Sequence, residues 1–169
     1  MTISPYVIIP LLIAAAIVQT TVTSYVQVIG VSPNLVLLVS VSWVLAAGSR
    51  EGALAGLVGG LMLDAFSGAP FGVSTVALVL ASMLTGLGEI HVLRTARALP
   101  YAAIALATLV YQATVLLLLQ MAGRAVIWWP MMWRAVLPEM VVNTLFMPLV
   151  YYAVRWLARR LQPRRVEWQ

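Results

Sequence analysis

Residues 48–72 read Gly48-Ser49-Arg50-Glu51-Gly52-Ala53-Leu54-Ala55-Gly56-Leu57-Val58-Gly59-Gly60-Leu61-Met62-Leu63-Asp64-Ala65-Phe66-Ser67-Gly68-Ala69-Pro70-Phe71-Gly72. Glycine recurs at Gly48, Gly52, Gly56 and Gly60, and Asp64 completes the series of fours. Residues four apart fall on nearly one face of a helix. Glycines on that face let a second backbone approach closely, which is how helices associate in lipid, where van der Waals contact takes over from the hydrophobic effect. The stripe predicts a helix packed against protein. Two occupants remain open for it: another helix of the same chain, or a partner's helix, for which Gly48, Gly52, Gly56, Gly60 and Asp64 would be the interaction surface.

The rest of the chain explains why lipid enters the argument. Of 169 residues, 63% are hydrophobic and only 9% charged, and the mean hydropathy is +1.00. Soluble domains carry roughly 25% charged residues. A chain of this length would also still expose about a third of its surface to water. A soluble domain, a disordered tail and a disulfide scaffold are therefore excluded. There is no cysteine and one histidine, His91, so neither a thiolate nor a multi-histidine metal site can form, and no cofactor is expected. The pI near 10.2 reflects ten arginines against five acids; in so apolar a chain this excess sets orientation and touches anionic lipid rather than nucleic acid.

A bilayer-spanning helix takes about 20 apolar residues. Six spans are predicted at about 5–28, 33–47, 51–66, 71–90, 99–122 and 134–161, giving an all-α bundle in a single integral membrane domain over residues 1–169. Residues 1–49 hold no Lys or Arg, so the first span lacks the basic flank of a signal peptide and reads as retained. Spans two and three are short, but a re-entrant hairpin would strand Arg50 and Glu51 at the bilayer centre, at about 2.5–3.5 kcal/mol for the arginine alone. With the N-terminus inside, eight arginines (50, 94, 97, 155, 159, 160, 164, 165) lie on the cytoplasmic side, against Arg124 and Arg134 outside. Both termini are thus expected in the cytoplasm. Residues 123–133 form the longest loop, and Trp128, Trp129 and Trp133 in it read as interfacial anchors.

Asp64 sits near the outer end of the third span, where a carboxylate opposes the negative end of the helix dipole. It needs a stabilising partner: loop N–H groups near Ser67 and Gly68, Arg124 or Arg134, or another protein. Glu139 and Asn143, spaced i,i+4 on the sixth span, share a face and can bond across to Gln112 or Gln19. They read as polar glue rather than an ion path. No Gly-x-Ser-x-Gly elbow, His-Glu-x-x-His motif or phosphate loop is present. Asp64 and Glu89 are assigned to opposite membrane faces, so an enzyme is not expected. A scaffold and a small-solute (vitamin-like) binding subunit of a transporter are the two open functions.

The motif pieces together resemble the bacterial rod shape-determining protein family MreD. They are Gln19 in the first span, Pro33-Asn34 opening the second, Arg50-Glu51-Gly52-Ala53, Gly56, Gly59-Gly60-Leu61-Met62-Leu63-Asp64 and Pro70-Phe71-Gly72. Asn34 stands where that family commonly has Asp. The resemblance implies a non-enzymatic scaffold of the cell-wall elongation machinery in the bacterial cytoplasmic membrane, involved in regulating cell shape. It implies binding to an MreC-like single-pass partner, and through it to RodA, a class B penicillin-binding transpeptidase and MreB. It also implies a fold similar to the substrate-binding subunits of energy-coupling-factor transporters.

Overall fold

The computed structural model describes residues 5–22, 30–66, 68, 70–91 and 98–161. They form an all-α bundle of six helices: α1 (Pro5–Val22), α2 (Leu35–Ala47), α3 (Ser49–Phe66), α4 (Val73–His91), α5 (Leu99–Met121) and, after a short α6 (Trp128–Met131), α7 (Leu137–Leu161). Two helical runs, Leu99–Met121 and the 33 residues Trp128–Arg160, are long and apolar enough to cross a membrane. Shorter apolar stretches lie in α1, α2 and α4.

The boundaries follow the punctuation of the sequence. Asn34 caps α2, its side-chain oxygen accepting from Leu37 N–H at 3.1 Å, as a short polar side chain does at an N-cap. Gly48, at φ +105°, is the single residue between α2 and α3. That left-handed conformation strains any residue with a Cβ, which accounts for the first glycine of the stripe separately from the others. Pro100 falls in the first turn of α5, where its missing N–H costs nothing. The predicted extension of the first span to residue 28 lies outside the described residues, as do Arg94, Arg97, Arg164 and Arg165 and the side chains of Arg50, Glu89 and His91.

The stretch 123–133, expected as a loop, is helical from Trp128 onward, joined to α7 by a π turn over Met132–Val136. Pro138, the second residue of α7, accounts for the join. It has no N–H for the preceding turn, and its ring crowds the carbonyl four residues back. A wider turn accommodates both.

Helix α2 is the centre of the bundle. Every residue from Val36 to Val44 is buried, and the helix touches α1, α3, α4, α5 and α7. A helix that is apolar all round belongs in such a position. Trp43, Leu37 and Leu38 of α2 meet Leu12, Leu78, Ile104 and Met147 in one continuous core. The broadest contact between two helices is α3 against α4, and the glycine stripe is its cause.

Candidate functional site

A Cβ placed on Gly56 would stand 2.7 Å from Ser82 Oγ and 2.8 Å from the Leu78 carbonyl oxygen. One placed on Gly60 would fall inside the contact radius of Thr75 Cα and 3.0 Å from Thr75 N. Both glycines therefore admit the backbone of α4. Gly52 admits α2, where a Cβ would stand 2.9 Å from Val44 Cβ. Gly59 faces Val36 of α2 and Leu12 of α1. The faces of Gly52, Gly56 and Gly60 are thus filled by helices of the same chain.

Close approach at Gly60 places the first turn of α4 beside Asp64, one turn further along α3. The Asp64 carboxylate accepts from Gly72 N–H (2.9 Å), Ser74 N–H (2.9 Å), Thr75 N–H (3.0 Å) and the Thr75 hydroxyl (2.6 Å). These backbone donors have no partner within their own helix, and the positive end of the α4 dipole faces the carboxylate. Among the described residues, the stabilising group sought for Asp64 is therefore the N-terminus of α4 with Gly72 just before it; Ser67 lies outside the described residues. Arg124 and Arg134 are exposed and are not among its partners.

Asp64 is one member of a buried polar layer at this end of the bundle. Glu139 and Asn143 of α7 meet the i,i+4 pair Gln112 and Thr108 of α5 in antiparallel register: Gln112 Nε2 donates to Glu139, and Asn143 Nδ2 donates to Thr108 Oγ1 at 3.1 Å. Asn143 Oδ1 also accepts the backbone N–H of Asn34 at 2.9 Å, tying the start of α2 to α7. Gln19 of α1 accepts Val36 N–H at 3.0 Å. Tyr111 of α5, buried, lies close to both Ser74 and Asn34, between the Asp64 cluster and the Asn143 cluster. All six long helices contribute a group to this layer. Gln19, Asp64, Gln112, Glu139 and Asn143 stood out in the sequence. Thr108, Tyr111, Ser74, Thr75 and the capping role of Asn34 did not. The signals for them were faint: a threonine four residues before Gln112, and a Ser-Thr pair in the first turn of a helix.

The arrangement is chemically quiet. Its acids and amides bond to one another, to hydroxyls and to backbone N–H groups. No group of three or more His, Cys, Asp or Glu that could hold a metal occurs among the described residues. An apolar groove opens between α4 and α5, lined by Ala81, Leu84, Thr85, Leu99, Ala103 and Ala107 among others. Its one hydroxyl, Thr85 Oγ1, is bonded to the Ala81 carbonyl oxygen at 2.8 Å.

Apolar helices of spanning length, pinned together by a buried hydrogen-bonded layer, define a helical membrane protein. The family model described as rod shape-determining protein MreD matches residues 1–160. The chain belongs to the MreD family, whose members are non-enzymatic membrane proteins of rod cell-shape determination. Comparison with curated proteins and with solved structures finds no match.

Proposed function

We propose that the chain is a six-span scaffold of the cell-wall elongation machinery in the bacterial cytoplasmic membrane, with both termini cytoplasmic and the Asp64 end of the bundle facing outward. In this reading it binds an MreC-like single-pass protein and, through that partner, acts with RodA, a class B penicillin-binding transpeptidase and MreB. The observation that carries the reading, beside family membership, is that the acids and amides of the buried layer are engaged with one another, with hydroxyls and with backbone N–H groups. That arrangement makes a rigid body, as a scaffold needs, and it favours the scaffold over a vitamin-binding transporter subunit, which needs polar groups turned toward a solute. Gly48, Gly52, Gly56, Gly60 and Asp64 serve partner binding by building the α2–α3–α4 unit. The opposite face of α3, with Leu54, Leu57 and Leu61 exposed, is free for a partner helix.

Mild-detergent purification from the native cell tests this. A single-pass, coiled-coil partner is expected to accompany the wild-type chain. Recovery of that partner is expected to fall with Gly52→Leu or Gly56→Leu and to persist with Gly68→Ala, whose added Cβ would meet nothing within 4 Å. A wild-type preparation without such a partner refutes the scaffold assignment.

A further inference from the structure

Helix α6 packs on nothing in the core. None of its residues is buried, and its contacts run to the adjoining π turn. With the π turn it nevertheless carries an exposed aromatic patch: Trp129 and Trp133 are 73% and 58% exposed and meet edge to face at 6.0 Å between ring centroids. Trp128 is half-exposed, and its indole N–H donates to Gln120 Oε1 at 2.8 Å, fixing α6 against the last turn of α5. Exposed arginines flank the patch on both sides, Arg124 before α6 and Arg134 in the π turn. The described carboxylates at this end, Asp64 and Glu139, are both buried and engaged with α4 and Gln112. Neither arginine is therefore neutralised by an acid among the described residues there.

Length along the helical run fixes the depth of this patch. A guanidinium sits at or beyond the hydrocarbon boundary, and Arg155 is the first arginine of the opposite end. At about 1.5 Å per residue, Trp133 and Arg134 lie about 32–33 Å from Arg155 along the run, and Trp128 about 40 Å. The hydrocarbon core is about 30 Å thick, and about 40–45 Å with its headgroups. Trp133 and Arg134 thus fall at the far hydrocarbon boundary, and Trp128 and Trp129 fall within the headgroup layer. At that depth the bilayer presents phosphates.

From this we infer that α6 and its flanking arginines form a binding surface for an anionic phospholipid headgroup. Trp128, Trp129 and Trp133 seat on the glycerol and acyl boundary, while Arg124 and Arg134 bond the phosphate and supply selectivity for lipids with net negative charge. The surface rests on the membrane-spanning reading of α7 but not on which leaflet it faces. It requires no protein partner.

The test uses the full chain in phosphatidylcholine vesicles that contain either brominated phosphatidylglycerol or brominated phosphatidylcholine, with quenching of indole emission as the readout. Stronger quenching by the phosphatidylglycerol is expected. Its advantage over phosphatidylcholine should fall about fivefold for each of Arg124→Gln and Arg134→Gln, and should survive Trp156→Phe, which removes an indole at the other end. Both arginines are exposed, so an unchanged melting profile confirms that the variants fold. Equal quenching by the two lipids, or an advantage that survives the double arginine replacement, overturns the inference. Absence of quenching by either lipid overturns the depth assignment and the site with it.

Discussion

Replacing Gly60 by alanine sets two effects of opposite sign against each other, and the structure decides between them. By helix propensity alone the change is favourable by about 0.5–1 kcal/mol, because glycine is the costlier residue in a helix interior. The new methyl, however, would overlap Thr75 Cα and stand 3.0 Å from Thr75 N and 3.1 Å from the Ser74 carbonyl oxygen. All three are backbone atoms, so no rotamer change relieves the clash. Ordinary carbon contacts lie at about 3.5–4.0 Å, so α4 must retreat by about 1 Å or the core must absorb the overlap. Retreat stretches the bonds of 2.9–3.0 Å from Gly72, Ser74 and Thr75 to Asp64 beyond useful length. Absorbing the overlap costs about 1–3 kcal/mol, and losing a hydrogen bond to a charged group about 1.5–3. The cheaper route, less the propensity gain, leaves a net destabilisation of about 1 kcal/mol. The assay is equilibrium unfolding in a mixed detergent series, with Gly68→Ala as the control that meets open space. If Gly60→Ala is as stable as that control within about 0.5 kcal/mol, the close approach of α3 and α4 at this point is wrong.

Asp64→Ala is expected to cost about 3 kcal/mol, since it orphans two backbone donors of α4, that of Gly72 before it and a hydroxyl; Asp64→Asn, which keeps one acceptor oxygen, should lose about half as much in the same unfolding series. For Gln112 and Glu139, each single change to leucine leaves a buried polar partner unbonded, so the double variant should be less destabilised than the sum of the two, by about 1–2 kcal/mol in a double-mutant cycle; strict additivity would show that the pair does not interact. The chain has no cysteine, so single cysteines at Thr2, Ser32, Ser67 and Gln169 report topology directly. They should label from inside, outside, outside and inside respectively, and labelling of position 169 from outside would reverse the orientation.

Much of the helix layout was legible because length and punctuation are local properties. Pro33-Asn34, Gly48, Pro70, Gly72, Pro100 and Gly123 bracket apolar runs, and the starts and ends of α2, α3 and α5 and the start of α4 fall within a few residues of those marks. The glycine spacing announced close packing of the third helix, but not against what: the identity of the neighbour depends on the path of α4, which no periodicity within α3 contains. Asp64 shows the same limit. Charge logic points to an arginine, and the sequence offers Arg124 and Arg134 at the same end. The structure satisfies the carboxylate with the free N–H groups of α4, which carry no signature of their own in sequence because every residue has one. The Asn34–Asn143 bond joins positions 109 residues apart, beyond any local pattern. The helical turn at Trp128 escaped because the tryptophans of 123–133 read as interfacial anchors in a loop, while the π turn that permits it is a response to Pro138.

The placement of the polar layer bears on how such a bundle could serve as a scaffold. Apolar contacts between helices are worth little in lipid, since lipid tails make equivalent contacts; glycine-mediated approach and buried hydrogen bonds are what discriminate one arrangement from another. Both coincide at one end of this molecule. Gly60, Asp64, Asn34, Thr108, Gln112, Glu139 and Asn143 fix the relative positions of α2, α3, α4, α5 and α7 there. Away from that layer, an apolar groove opens between α4 and α5, and its single hydroxyl is bonded to its own helix. Among the described residues, most of the hydrogen bonds between helices that resist distortion are therefore gathered at the Asp64 end. A partner gripping the apolar flank of α3 would meet a surface whose geometry is set from the pinned end, so substitutions in the polar layer should alter partner geometry without touching the partner.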